Sequence, residues 1–200
     1  MAVPKILVFA GSARRGALSK RLAKAAAGAL SAAGASATLI DLADYPQPLY
    51  DADLEAAAGL SPGIVALQRL LAAHDGLLVA TPEYNGSVTP LLKNTLDWCS
   101  RTNPADAAGS GLAVYAGKPA AIVSSSPGAL GGLRALFHLR DLLGYLGMLV
   151  IAQQLAVSQA HEAFEPDDRA LRDPRQQQAL SALASALTRT AGRLAADQPA

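Results

Sequence analysis

Cysteine is nearly absent: Cys99 is the only one in 200 residues. An intrachain disulfide and a cysteine metal cluster are therefore excluded, which suits a reducing, cytoplasmic setting. His74, His138 and His161 stand far apart, without metal-ligand spacing, so no metal is expected. GxSxG does not occur, which removes the hydrolase nucleophile elbow. Aromatic residues make up 4% of the chain, too few for a base-stacking surface. Neither charge sign dominates, with 17 basic against 16 acidic residues, eight of each in residues 1–100. Nucleic acid and anionic membrane surfaces thus have no electrostatic footprint. No run approaches the ~18–20 apolar residues of a membrane span. Met1-Ala2-Val3-Pro4-Lys5-Ile6 enters an apolar strand without a signal-peptide core.

What is present is aliphatic: 51% of residues are hydrophobic and 16% charged, enough to fill a core. The length fits one α/β domain over residues 1–200. Lys5–Ala10 (KILVFA) reads as a strand buried on both faces. Gly11–Leu18 is a loop, Ser19 to about Ala33 a helix, and Gly34 its C-terminal cap. A second strand is predicted at Ala37–Asp41 and a proline-rich loop at Tyr45–Pro62. Ser61-Pro62 opens a helix to about His74, whose imidazole can meet the last carbonyls.

Gly76–Ala80 is a third strand, Thr81–Ser87 a turn and Pro90–Ser100 a short helix. Thr102–Gly117 has no definite element. Pro119–Val123 and Met148–Gln154 are the fourth and fifth strands, with a helix at about Leu133–Leu146 between them. A polar loop from Ser158 to Pro174 precedes a last helix, Arg175 to about Ala196. Strand and helix alternate throughout, which predicts a doubly wound five-stranded parallel sheet of flavodoxin-like order 2-1-3-4-5, with helices on both faces.

Ligands of such sheets bind at the carboxyl ends of the strands. Three loops at such ends are unusual in composition. Gly11 to Ser19 runs into a helix N-terminus, where backbone N–H groups and the dipole favour an anion. Ser12 and Ser19 can donate hydroxyls and Arg14 a charge-assisted bond. Lacking a P-loop ending and GxGxxG, the segment reads as a monophosphate cradle. In the second loop Pro82 fixes φ and Asn85-Gly86 permits unusual φ, so backbone amides can face a flat ring beside Tyr84. The third, Ser124 to Gly132, again joins hydroxyls to glycines, and Gly131-Gly132 allows close approach of a ring or a neighbouring backbone. Each loop also has a plain structural reading: a Ser19 N-cap with solvated arginines, a tight strand-to-helix turn, and helix capping.

Five motifs then occur in order: Gly11-Ser12-x-Arg14, Thr81-Pro82-Glu83-Tyr84-Asn85, Leu92-Lys93-Asn94-x-x-Asp97-Trp98, Gly117-Lys118-Pro119 and Ser126-Pro127-Gly128-x-x-Gly131-Gly132. Together, over about Lys5 to Leu155, they resemble the NAD(P)H-dependent FMN reductases, in particular the quinone and chromate reductase branch. The resemblance implies an enzyme that passes electrons from NADPH or NADH through FMN to a small oxidant in a ping-pong cycle. That oxidant would be a quinone, chromate, an azo or nitro compound, or free flavin. It implies that Ser12, Arg14 and Ser19 hold the FMN phosphate. Pro82, Glu83, Tyr84, Asn85 and Gly86 would contact the isoalloxazine, and Ser126 with Gly128 would meet it from the other side. Lys93, Asn94 and Asp97 would hold their helix and a subunit contact in a homodimer or homotetramer. No catalytic acid or base is assigned, because the flavin carries the chemistry.

The chain departs from the family pattern at Ala17 (often Ser), Ser19 (often Asn), Gly86 (often aromatic) and in a long Thr102–Gly117 segment. FMN affinity and pocket size are the properties these changes touch. The rival functions are a flavodoxin-type electron carrier, which the near-neutral charge disfavours, and a non-catalytic nucleotide-binding regulatory module.

Overall fold

The computed structural model describes residues 2–107 and 109–196. The expected span of one domain, 1–200, also takes in Met1, Ala108 and residues 197–200, which lie outside the described residues. The strands are β1 (Lys5–Ala10), β2 (Ser36–Ile40), β3 (Gly76–Thr81), β4 (Pro119–Ser125) and β5 (Leu149–Val157). The helices are α1 (Leu18–Ala32), α2 (Ala52–Ala58), α3 (Pro62–Ala73), α4 (Pro90–Cys99), α5 (Leu133–Tyr145) and α6 (Pro174–Ala196). The sheet is parallel throughout, ordered β2-β1-β3-β4-β5. This is the flavodoxin-like arrangement expected from the strand–helix alternation.

The continuous apolar runs bury both faces of the central strands, and pleating sorts their side chains between two cores. Ile6, Val8, Ala10, Leu78 and Val123 pack under α1 and α6. Leu7, Phe9, Leu77, Val79 and Ile122 pack under α3, α4 and α5. The register aligns Ala10 with Ala80 and Thr81 with Ser124. The loops after β1, β3 and β4 therefore leave the sheet side by side, at the point where strand order reverses.

The structure corrects the Tyr45–Pro62 loop. α2 lies within it, opened by Asp51, whose carboxylate accepts from the Asp53 and Leu54 amides at 2.7 and 3.2 Å. The prolines masked this capping signal, which the sequence does contain. α2 buries no residue of its own. It is tethered instead through Glu55, which accepts from the Tyr50 hydroxyl at 2.8 Å and from Arg101 at 2.9 Å. Ser19 is no N-cap, for α1 begins at Leu18 with Ala17 in the cap position. β5 runs three residues past its predicted end, and a short 3-10 turn at Gly111–Val114 interrupts the Thr102–Gly117 segment. Among the described residues, no single helix is long and apolar enough to cross a membrane.

Candidate functional site

The loop from Gly11 to Ala17 is pinned at its start, through both backbone groups of Gly11. The Gly11 amide donates to the Ala80 carbonyl at 2.8 Å, and Thr89, which caps α4, donates its hydroxyl to the Gly11 carbonyl at 2.6 Å. Where α1 begins, Ala17 offers no side-chain acceptor to the first turn, and no acidic residue stands there. The positive end of the helix dipole is thus left uncompensated by the chain. Beside it, Arg14 is exposed and forms no ion pair among the described residues. Ser19 is 1% exposed, and its Oγ is buried without a hydrogen-bond partner.

The second loop closes as a tight two-residue turn. Tyr84 and Ser87 exchange backbone hydrogen bonds at 3.0 Å, with Asn85 at φ 50° and Gly86 at φ 81°. Positive φ at both central positions is the type I′ geometry that Asn-Gly favours. In the third loop the Ser126 amide donates to the Val157 carbonyl at 3.1 Å. The Ser124 hydroxyl donates to the Gly131 carbonyl at 2.9 Å. Ser125 is buried, and its Oγ, like that of Ser19, has no partner.

The three loops enclose a cleft of about 190 Å³. From the first come Ser12, Arg14, Ala17, Leu18 and Ser19, from the second Pro82, Glu83 and Tyr84, and from the third Ser125, Ser126 and Pro127. Seven of the ten residues singled out from sequence therefore meet here. Asn85 and Gly86 form the tip of their turn and do not line the cleft; Gly128 also stands outside it, its amide donating to Ser126 Oγ at 3.2 Å. Sequence reading missed Ser125, whose only signal was its place at the carboxyl end of the fourth strand. It also missed the partner of Glu83: Arg134, 51 residues away, donates to its carboxylate from Nε at 2.7 Å and from Nη2.

A larger hollow of about 420 Å³ opens at the ends of β1 and β2. Its lysine is already engaged, with Lys20 Nζ donating to Asp41 at 2.6 Å and to the Ala13 carbonyl at 3.2 Å. The three-loop cleft gathers two buried hydroxyls without a partner, Ser19 and Ser125; among the described residues Gln47 Oε1, Gln68 Oε1 and Thr188 Oγ1 share that state, away from the cleft. Leaving a buried hydroxyl unpaired costs about 1–3 kcal/mol, and here two such hydroxyls stand with a free guanidinium and an uncapped helix start. That donor set suits a phosphate monoester carrying a polar tail, so the residues fit FMN. A cleft this size is smaller than the ~300–1,000 Å³ pockets that enclose most of a ligand.

The motif residues of α4 serve the fold. Asn94 accepts from the Tyr50 amide at 2.7 Å and donates to the Pro48 carbonyl at 2.8 Å, which Trp98 Nε1 also reaches at 2.9 Å. Lys93 and Asp97 pair one helical turn apart. His74 closes α3, with Nδ1 at 2.6 Å from the Leu70 carbonyl and Nε2 at 2.8 Å from Thr38 Oγ1. Burial pushes the Cys99 thiol up to about 12, against a smaller downward pull from Tyr115. The thiolate is therefore scarce in the native protein. Incubation with a chromogenic thiol reagent at pH 8 is expected to give no colour until denaturant is added, and then one equivalent.

An open parallel sheet of order 2-1-3-4-5, with its cleft at the strand-order reversal, defines a flavodoxin-like nucleotide-binding fold. The family model of the NADPH-dependent FMN reductases matches residues 4–162, and the chain belongs to that family. It is thus an oxidoreductase that works with FMN and NAD(P)H. An NAD(P)H-dependent FMN reductase of Pseudomonas aeruginosa is 36% identical over 170 residues, covering 84% of this chain and 85% of the relative. A 2-hydroxy-1,4-benzoquinone reductase of a Burkholderia species is 38% identical over 151 residues, 74% of this chain and 75% of the relative. Among solved structures, a flavoenzyme NAD(P)H:(acceptor) oxidoreductase from Paracoccus denitrificans superposes with a TM-score of 0.79 at 25% identity. That likeness covers 96% of this chain and 98% of the other.

Proposed function

We propose that the chain, as one FMN-binding domain, oxidises NAD(P)H and reduces a small oxidant by a ping-pong cycle, quinones being the favoured class. One observation carries the binding half of this reading: the buried, partnerless Ser19 hydroxyl beside Arg14 at the uncapped start of α1. In it Ser12, Arg14 and Ser19 hold the phosphate. Pro82, Glu83 and Tyr84 would flank the ring, with Asn85 and Gly86 closing the turn behind them, and Ser126 would bound it from the other side with its hydroxyl held by the Gly128 amide. FMN, when bound, would supply the redox chemistry, a two-electron exchange between NAD(P)H and the oxidant.

The chain's own part is orientation. Arg14 and the α1 amides would fix the phosphate end, and the Asn85-Gly86 turn would hold Pro82–Tyr84 in place on the cleft wall. Donor and oxidant would then enter the same cleft in turn. No side chain is assigned as acid or base. Tyr84, Leu130, Phe137 and Tyr145 are large, apolar and exposed, which supports a homodimer or homotetramer with the ring near a subunit boundary; a cytoplasmic setting is proposed from the single cysteine alone. Quinones are favoured because the Burkholderia relative is named for one.

The test is stopped-flow absorbance of the FMN-saturated protein. NADPH is expected to bleach the flavin band and 1,4-benzoquinone to restore it, with parallel lines in double-reciprocal plots. Flavin that stays coloured in excess NADPH and NADH defeats the enzymatic reading.

A further inference from the structure

Glu83 lies on the cleft wall, yet its carboxylate is committed elsewhere. Its side chain is 8% exposed, against 59% for that of Arg134. Oε2 accepts the Arg134 backbone amide at 3.1 Å, while Oε1 accepts Arg134 Nε at 2.7 Å and Nη2. α5 needs this partner. Its cap position is Gly132, which has no side chain, and its first turn holds no acidic residue. Glu83 is therefore an N-cap supplied from another loop, and it brings the negative charge that a helix start favours. One turn along the same face, His138 Nδ1 lies 2.8 Å from Ser87 Oγ. The turn after β3 and the helix after β4 are thus clasped at two points, and Glu83 brings one of them to the cleft wall.

The clasp is also neutral. A lone carboxylate on that wall would oppose negative charge arriving on a ligand beside it, and a lone guanidinium would favour it. We infer that Glu83 and Arg134 form a charge-compensated clasp that keeps either charge from shifting the reduction potential of FMN in the cleft. Glu83 is a positioning residue acting through Arg134, not a donor or acceptor to the ring. The inference rests on the FMN-binding reading above.

Its test is the potential of bound FMN, by anaerobic spectroelectrochemistry, in Glu83→Gln, Arg134→Gln, Arg134→Lys and the double Glu83→Gln/Arg134→Gln protein. Apo-protein melting and the Kd for oxidised FMN are measured alongside. Glu83→Gln, which leaves the guanidinium uncompensated, is expected to raise the potential. Arg134→Gln, which leaves the carboxylate uncompensated, is expected to lower it. Each shift corresponds to about a tenfold change in the relative affinity for reduced and oxidised FMN, about 30 mV for a two-electron couple. The double variant, neutral again, and Arg134→Lys, which keeps the charge, return close to the wild-type value.

A merely structural clasp would move both single variants the same way and the double variant further still; that result, or no shift in either single variant, overturns the inference. If Arg134→Gln does not fold, Glu83→Gln against Arg134→Lys decides the matter, since only the first changes the charge. Failure of the wild-type protein to bind FMN is a separate outcome, which removes the functional reading before any variant is compared.

Discussion

Ser19→Ala is expected to weaken FMN binding by about 10- to 100-fold and to leave the apo-protein as stable as before, or more so. The two halves have opposite signs because the hydroxyl has opposite value in the two states. Without a ligand its Oγ is buried and has no partner, so deletion removes a desolvation penalty of about 1–3 kcal/mol. Alanine is also the better helix former at this second helical position. With a phosphate in the cleft the same hydroxyl donates to a charged acceptor, an interaction worth about 1.5–3 kcal/mol. Fluorescence titration of FMN and apo-protein melting are read on the same preparations. A drop in apo stability with unchanged affinity would mean that Ser19 is an ordinary core residue. Arg14→Ala serves as a companion: its side chain is exposed and, among the described residues, makes no ion pair and only a 3.4 Å bond to the Gly16 carbonyl, so it should lose affinity with little change in melting.

The sequence disclosed more of the sheet than of the site. A strand of a parallel sheet is a local signal, a short apolar run set off from helical periodicity, and all five strands were legible for that reason. α2 was not, because three prolines between Tyr45 and Pro62 argued for a loop, while the stabilising contacts of the helix come from Arg101 and Tyr50, outside its own span. The cleft was legible as three loops because their small and hydroxylated residues stand out beside apolar strands. How those loops are joined was hidden. Glu83 and Arg134 are far apart in sequence, and nothing local to either marks the pair. Ser125 was likewise hidden, since only packing against its neighbours decides whether a strand-end hydroxyl finds a partner.

The Gly131-Gly132 pair was the most ambiguous feature of the third loop, read either as room for a ring or as room for backbone. The structure favours backbone, and this gives the largest expected loss of stability. A Cβ on Gly131 would stand 2.7 Å from Ser158 N and Val157 C and 2.8 Å from Ala156 C, at φ 61°. These atoms belong to the end of β5 and the residue after it, so no flexible side chain can give way. Gly131→Ala combines a left-handed penalty of about 1–2 kcal/mol with overpacking of about 1–3 kcal/mol. Together these predict a fall in melting temperature of about 5–15 °C for a chain this size.

Gly16→Ala isolates the first contribution, for it has φ 65° and nothing within 4 Å of the added carbon. It is expected to melt only a few degrees lower, by about 2–5 °C. Equal losses for the two variants would show that the contact with β5 relaxes. A larger loss for Gly131→Ala, accompanied by weaker FMN binding, follows if the β4–α5 loop must move to admit the methyl group. That loop carries Ser125 and Ser126 into the cleft, so any displacement at Gly131 is transmitted to the site itself.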